Sequence, residues 1–305
     1  GAEHLQNLQF HAFLSHSSNS ITYKDQLMAP LSCISKFRNL ISFRSSSMYF
    51  LGNNDSFADA FFALPNLEVI ETRGGRLFRR IPQGIHPNSK LKDICIPNHD
   101  VGGSLPDSIS NMKHLTRLDL SRNSLSGEVP ATLSALVKLT ELYLGYNYKL
   151  RGSLNFTTNL KSLVILDLTH NNFTGRLPNG ISNLKPLSRL MLGGNDLEGE
   201  VPNGVTRLTR LTQLHLGGNR LHGKIDFITV LTRVKYLNLE TNAFTGTVPS
   251  KISNLEDLLG LLPSRFAQDF VQLYSIFIRN RPGIVHSWQD GTNIVAGLAA
   301  LVARV

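Results

Sequence analysis

The chain has 305 residues, of which 41% are apolar and 17% charged, and its formal net charge is +9 at pH 7. This composition excludes a disordered protein and supports a sizeable hydrophobic core. No apolar run reaches the ~18 residues of a membrane-spanning helix. The two cysteines, Cys33 and Cys95, are too few for a disulfide framework or a four-cysteine zinc site. The positive charge favours acidic partners without choosing among them.

The first 66 residues carry an irregular hydrophobic pattern. Leu40 precedes Leu67 by 27 residues and is followed by Phe43 and Met48 at apolar positions, which resembles a degenerate form of the pattern that comes next. Because irregular terminal units commonly cap repeat arrays, residues 1–66 are predicted to be irregular N-terminal repeats or a cap.

Residues 67–262 repeat with a period of 24 residues, apart from one step of 23. The leading apolar positions are Leu67, Leu91, Leu115, Leu139, Leu163, Leu187, Leu211, Val234 and Leu258. Each unit reads LxxLxLxxNxLxGx(V/I/L)P and is followed by a stretch with apolar residues at three-residue spacing. Because the spacing is kept over eight steps, the segment is a tandem array of one supersecondary unit.

One unit can be read physically. Leu118 and Leu120 alternate with period two, which predicts a short strand with its leucines inward. The following asparagine amide can satisfy backbone groups that would otherwise be buried unpaired. Stacking the units predicts a structural asparagine ladder, formed by Asn123, Asn147, Asn171, Asn195, Asn219 and Asn242. The last stretch predicts a short helical return, and stacked units form a curved solenoid with one continuous core.

These units resemble the leucine-rich repeat family, and in particular its plant-type subclass. The Gly-x-(Ile/Val/Leu)-Pro step that carries the resemblance stands at Gly127 to Pro130 and at Gly175 to Pro178. The resemblance implies an α/β solenoid in the form of a curved right-handed superhelix. Short parallel strands would line its concave face, with irregular or 3-10 segments on the convex face.

Beyond residue 262 the repeat pattern stops. Ser264 is a candidate cap for a helix in which Phe266 and Phe270 share one face, so residues 263–305 are predicted to be a C-terminal helical cap or tail. A partner-binding or membrane-surface helix is the alternative. Membrane association is expected only through this segment or through segments outside the sequence.

Residues beside the inward leucines should face the concave side, where a ligand would bind. The candidate ligand-binding residues are Arg117, Asp119, Glu141, Tyr143, Tyr146, Asp167, His170, Arg189, His215 and Tyr236. Exposed aromatic residues on a rigid scaffold act as interface anchors, although tyrosines that merely fill the groove floor are an equal alternative. Because this face mixes both signs of charge, nucleic-acid binding is disfavoured.

No catalytic residue, metal site or cofactor is predicted, since no hydrolase, kinase or metal-ligand motif occurs. Three sequons give candidate glycosylation sites at Asn54, Asn155 and Asn172. A disulfide between Cys33 and Cys95 is an uncertain expectation. The cysteine pairs that usually bracket plant-type extracellular repeats are missing, which is a departure from the family pattern.

The resemblance implies a non-catalytic recognition module, similar to the ectodomains of receptor kinases and receptor-like proteins, that binds a peptide, protein or glycan. Such a module would be extracellular or at the cell surface. The alternative is an intracellular or organellar scaffold subunit. A third reading, an inhibitor of a secreted glycosidase, is favoured by length and charge and opposed by the cysteines.

Overall fold

The computed structural model describes residues 20–23, 38–49, 55–76, 78–87 and 89–246. In chain order the elements are β1 (Ser20–Tyr23), β2 (Ser42–Tyr49), α1 (Asp55–Phe62), β3 (Val69–Arg76), β4 (Asp93–Cys95), β5 (Gly102–Gly103), β6 (Arg117–Asp119), β7 (Ser124–Glu128), β8 (Glu141–Tyr143), β9 (Lys149–Gly152), β10 (Ile165–Asp167), β11 (Asn172–Arg176), β12 (Arg189–Met191), β13 (Asp196–Glu200), β14 (Gln213–His215), β15 (Arg220–Lys224), β16 (Tyr236–Asn238) and β17 (Ala243–Thr245). The predicted C-terminal helix lies outside the described residues.

The strands form two parallel sheets. The concave sheet has ten strands in the order β1-β2-β3-β4-β6-β8-β10-β12-β14-β16, and the second sheet has seven in the order β17-β15-β13-β11-β9-β7-β5. Strand β2 pairs with β3 in a register that places Ser42 beside Val69, so the concave sheet continues N-terminal to residue 67. The predicted solenoid is confirmed. The second sheet was not predicted, because its strands contain glycine and acquire their hydrogen bonds only by stacking.

The leucines of each unit meet in one continuous core. Leu118 and Leu120 are buried from the concave strand, Leu125 from the second sheet and Leu133 from the return. Burial of such side chains contributes ~1.5–3 kcal/mol each. One unit alone has nothing to cover its leucines, so the stability of each depends on its neighbours.

The N-terminal part of the core is aromatic. Helix α1 runs from Asp55 to Phe62. Phe61 in this helix contacts Phe43 of strand β2 edge-on, with ring centroids 5.0 Å apart. It also lies 5.7 Å from Phe78, which packs 5.6 Å from Phe62. These rings close the hydrophobic core over the first regular repeats.

The return of each unit is a short 3-10 turn. These turns are Asp107–Asn111, Ala131–Ala135, Leu154–Asn159, Asn179–Asn183, Asn203–Arg207 and Asp226–Val230. Pro130 precedes its turn in an extended conformation, and its carbonyl accepts the Leu133 amide at 3.0 Å. Asn155 and Asp226 stand in place of this proline in two repeats. The core is uninterrupted there because Phe156 and Phe227 are buried.

The asparagines tie each repeat to the next. Asn195 Oδ1 accepts the Phe173 amide at 3.0 Å, while its Nδ2 donates to the carbonyls of Leu168 and Leu192 at 2.9 and 3.0 Å. His99 takes the ladder position one repeat before Asn123 and is buried. The backbone amides of loop residues are thereby satisfied without water.

Candidate functional site

Strand register aligns two columns of side chains beside the inward leucines. One column contains Val69, Asp93, Arg117, Glu141, Ile165, Arg189, Gln213 and Tyr236. The other contains Glu71, Cys95, Asp119, Tyr143, Asp167, Met191, His215 and Asn238. Neighbouring strands of a sheet lie ~4.8 Å apart, so each column presents a row of closely spaced groups.

Arg117 lies at the centre of a charged network. Its guanidinium nitrogens lie 3.9 Å from Asp93 Oδ2, 3.7 Å from Asp119 Oδ2 and 3.4 Å from Glu141 Oε2. Three carboxylates against one guanidinium leave a net charge of −2 (−3 + 1) when all are ionised. Burial raises the pKa of Asp93, and the charge of Arg117 opposes that rise.

This network is incompletely hydrogen-bonded. Arg117 Nε and Asp93 Oδ1 are buried and have no hydrogen-bond partner among the described residues. Unsatisfied buried polar atoms cost free energy. The exposed part of the network consists of the outer portions of the Arg117, Asp93 and Glu141 side chains, each about a third exposed (32%, 29% and 35%). Asp93 was absent from the predicted site, although its place in the column of Arg117 could have indicated it.

Two of the predicted acidic residues also have local structural bonds. Asp119 Oδ1 accepts the backbone amide and the hydroxyl of Ser121, at 3.1 and 2.7 Å. Asp167 Oδ1 does the same for Thr169, at 3.0 and 2.7 Å. Each carboxylate fixes the turn that leaves its strand. Tyr143 donates its hydroxyl to Glu141 Oε2 at 3.3 Å, and burial raises the pKa of this tyrosine.

Tyr146 and His170 come together at the edge of the concave sheet. Their ring centroids are 4.5 Å apart, and the Arg122 guanidinium carbon lies 4.2 Å from the Tyr146 centroid. The exposed ring of Tyr148 meets Tyr146 nearly perpendicularly at 6.3 Å. Neither Arg122 nor Tyr148 was in the predicted site. The signal for Tyr148 was a longer turn after the ladder asparagine, with two residues rather than one between Asn147 and Leu150, in a repeat that keeps the 24-residue period.

The remaining predicted residues lie further along the concave sheet. Arg189 is half-buried and has no ion-pair partner within 4.0 Å among the described residues. His215 meets Tyr236 edge-on at 6.3 Å, and its ring lies against Gly193, where a side chain would collide with it. Burial lowers the pKa of His215, and the nearby His170 lowers it further.

Cys95 lies in strand β4, in the same column as Asp119. Only 3% of the residue is exposed, and its Sγ lies 3.8 Å from Asp119 Oδ2. Burial, assisted by the charge of Asp119, raises the pKa of this thiol to about 12. Cys33 lies outside the described residues, so the disulfide stays a prediction.

The sequons differ in their surroundings. Asn155 and Asn172 are exposed, in a 3-10 turn and in strand β11 respectively. Thr157 of the first sequon is buried and donates its hydroxyl to the Leu154 carbonyl at 2.8 Å. Asn54 lies outside the described residues. Glycosylation at all three positions stays a prediction.

Within the described ranges, no group of three or more His, Cys, Asp or Glu side chains could hold a metal ion. The helices of this part of the chain are also too short or too polar to cross a membrane.

Comparison with known proteins identifies the repeats. Family models described as leucine-rich repeats match residues 103–148 and residues 162–184. No significant relative was found among curated proteins. Together with the solenoid fold, these matches show that the chain contains leucine-rich repeats.

Among solved structures, the chain resembles the ectodomains of plant receptors. It is 29% identical to a TDR receptor, with a TM-score of 0.69 over 79% of this chain and 41% of that one. It is also 29% identical to the Arabidopsis receptor kinase HAESA, solved with the peptide hormone IDA and the co-receptor SERK1, with a TM-score of 0.66 over 79% of this chain and 40% of that one.

A PEPR1–AtPEP1 complex gives a TM-score of 0.72 at 24% identity, over 80% of this chain and 34% of that one, and shows the fold alone. The chain thus spans between 34% and 41% of the length of these three structures.

Proposed function

We propose that this chain is a non-catalytic recognition module that binds an extended peptide along its concave face. The observation that carries the proposal is the charged network around Arg117, which is held in place on adjacent strands, has an excess of carboxylates and leaves about a third of the Arg117 and Glu141 side chains exposed (32% and 35%). Groups held rigidly before binding lose little conformational freedom on association. The similarity to HAESA, which was solved with a peptide hormone, supports a peptide as the ligand.

The charges of the concave face suggest what the peptide carries. The network around Arg117 has an excess of carboxylates, which attract a basic side chain. Arg189 has no ion-pair partner among the described residues and attracts a carboxylate. A peptide with charges of both signs complements both places, and such complementarity chiefly provides specificity and association rate.

We further propose an extracellular or cell-surface location, since the receptor ectodomains that the chain resembles are extracellular. The exposed sequon asparagines Asn155 and Asn172 support this location. Release of N-linked sugar from the protein of its native source tests it.

Binding is tested with the full chain and a peptide selected on it from a random display library. Glu141→Gln removes one carboxylate of the network, and Arg189→Gln removes the unpaired cation. Each is expected to weaken binding about tenfold in calorimetric titration, because a desolvated charge contact contributes roughly 1–3 kcal/mol.

The matched control is Lys161→Gln, a charge change of the same kind at an exposed position outside the concave columns. It is expected to leave the dissociation constant unchanged. If both concave variants bind the selected peptide as tightly as the native chain, the binding surface lies elsewhere.

A further inference from the structure

Three successive repeats place stacked side chains at one position. Arg122, Tyr146 and His170 each stand immediately before a ladder asparagine. The Arg122 guanidinium lies over the Tyr146 ring at 4.2 Å, and the His170 ring follows at 4.5 Å with a tilt of 31°. Because Arg122 and His170 belong to the repeats on either side, they cover the two faces of Tyr146.

The backbone at this position is unfavourable for such side chains. Arg122, Tyr146 and His170 have φ values of +55°, +60° and +52°, in the left-handed region. In the next two repeats the same position holds Gly194 and Gly218, with φ values of +68° and +66°. Glycine adopts this conformation without strain, whereas other residues do so at a cost. Asn98 and Thr241 share this left-handed conformation, with φ values of +61° and +50°, so the strain belongs to the repeat position, and the three stacked residues occupy that position despite the cost.

Gly194 also makes room for the end of the stack. An ideal Cβ at this glycine would lie 2.7 Å from His170 Nδ1, so the imidazole occupies the space that a side chain would fill. The stack ends against bare backbone. One side chain at this position would displace the histidine from Tyr146.

An exposed ring stands beside the stack. The extra residue between Asn147 and Leu150 forms a tight turn, in which the Leu150 amide donates to the Asn147 carbonyl at 2.8 Å. The turn directs the side chain of Tyr148 outward, and 65% of the residue is exposed. Its ring plane is nearly perpendicular to that of Tyr146, and most of the residue is open to solvent. An exposed tyrosine beside other rings on a rigid scaffold offers contact area at low conformational-entropy cost.

We propose that this aromatic platform, formed by Arg122, Tyr146, Tyr148 and His170, binds an aromatic or proline ring of the peptide ligand. The inference rests on the proposed peptide-binding function and specifies that the peptide contains an aromatic residue or a proline. Rings stack face to edge or offset on tyrosine at little entropic cost, since tyrosine has few rotatable bonds. The cationic guanidinium of Arg122 polarises the platform and favours an electron-rich ring.

Two variants test the platform with the peptides selected on the native chain. Tyr148→Ala removes an exposed ring whose loss cannot unfold the core. Tyr146→Gly removes the central ring and relieves the strained backbone, so the melting temperature is expected to stay within about 2 °C. Both variants are expected to lose about tenfold or more in affinity, as for interface anchors. The selected peptides are expected to be enriched in aromatic residues or proline.

The control is Thr241→Gly, which relieves the same backbone strain (φ +50°) at the equivalent position outside the stack. It should leave affinity unchanged. If peptides bind but both tyrosine variants retain native affinity, the platform is refuted while the proposed function stands. If no peptide is selected on the native chain, the proposed function and the platform are both refuted. If Tyr146→Gly also lowers the melting temperature, the affinity of the Tyr148→Ala variant alone tests the platform.

Discussion

The asparagine ladder makes a graded stability prediction, because its members support different numbers of backbone amides. Asn123 Oδ1 accepts two buried amides, those of His99 at 2.9 Å and Val101 at 3.0 Å. Asn171 Oδ1 accepts only one, that of Asn147 at 3.2 Å, since the longer turn of this repeat shifts the other amide away. Replacing each asparagine by alanine therefore strands two donors in one case and one in the other.

The carbonyls widen the difference, because Asn123 alone among the ladder asparagines donates to the Ile96 carbonyl, at 2.8 Å. The Leu120 carbonyl receives amides from both Asn123 and Asn147, so it keeps one partner when Asn123 is removed. The Leu144 carbonyl is likewise shared by Asn147 and Asn171. Stranding a buried donor costs ~1–3 kcal/mol. We expect Asn171→Ala to cost about 1–3 kcal/mol and Asn123→Ala about 2–5 kcal/mol.

The assay is equilibrium urea unfolding of the full chain, with the free energy extrapolated to water. Asn179→Ala is the control, because Asn179 is exposed and outside the ladder; it should lie within about 0.5 kcal/mol of the native chain. Equal losses for Asn123→Ala and Asn171→Ala would refute the counting of stranded donors. A native-like free energy for Asn123→Ala would mean that the ladder does not bear on stability.

Two further predictions concern titratable groups. The first concerns a Cys33→Ser chain, in which Cys95 is the single cysteine. Its thiol should resist iodoacetamide at about pH 8 in the native state and react in urea, because burial raises its pKa to about 12. Rapid labelling of the native chain would show that the thiol is accessible. Burial lowers the pKa of His99, whose Nε2 lies 2.8 Å from Thr72 Oγ1. The unfolded chain then takes up this proton at a higher pH than the folded one, so stability should be lost as pH falls below the ordinary histidine pKa of ~6.5 and level off above it. His99→Asn should flatten the pH dependence of the unfolding free energy, and parallel curves for the two chains would contradict this.

Much of the fold could be predicted because the repeat period is a property of the chain alone. A spacing of 24 residues forces equivalent residues into register, so Arg117 had to align with Glu141 and Leu118 with Leu142. The ladder positions followed from the same spacing. The concave columns were therefore readable from sequence, and the candidate set was drawn from them.

The contacts made by those residues could not be read in the same way. Asp119 and Asp167 were predicted to face a ligand, but one oxygen of each closes a local turn. Cys95 lies in one of the concave columns, yet its thiol is covered. Spacing gives the column of a side chain, whereas its exposure depends on how neighbouring side chains fill the space around it.

The sequence by itself determined the solenoid, because one hydrophobic unit that cannot bury its leucines alone must stack on copies of itself. Only the tertiary structure decided the second sheet, the incomplete hydrogen bonding around Arg117 and the stacking on Tyr146. These features need backbone segments and side chains from adjacent repeats at defined distances. Such distances are fixed by close packing, which a one-dimensional pattern does not specify.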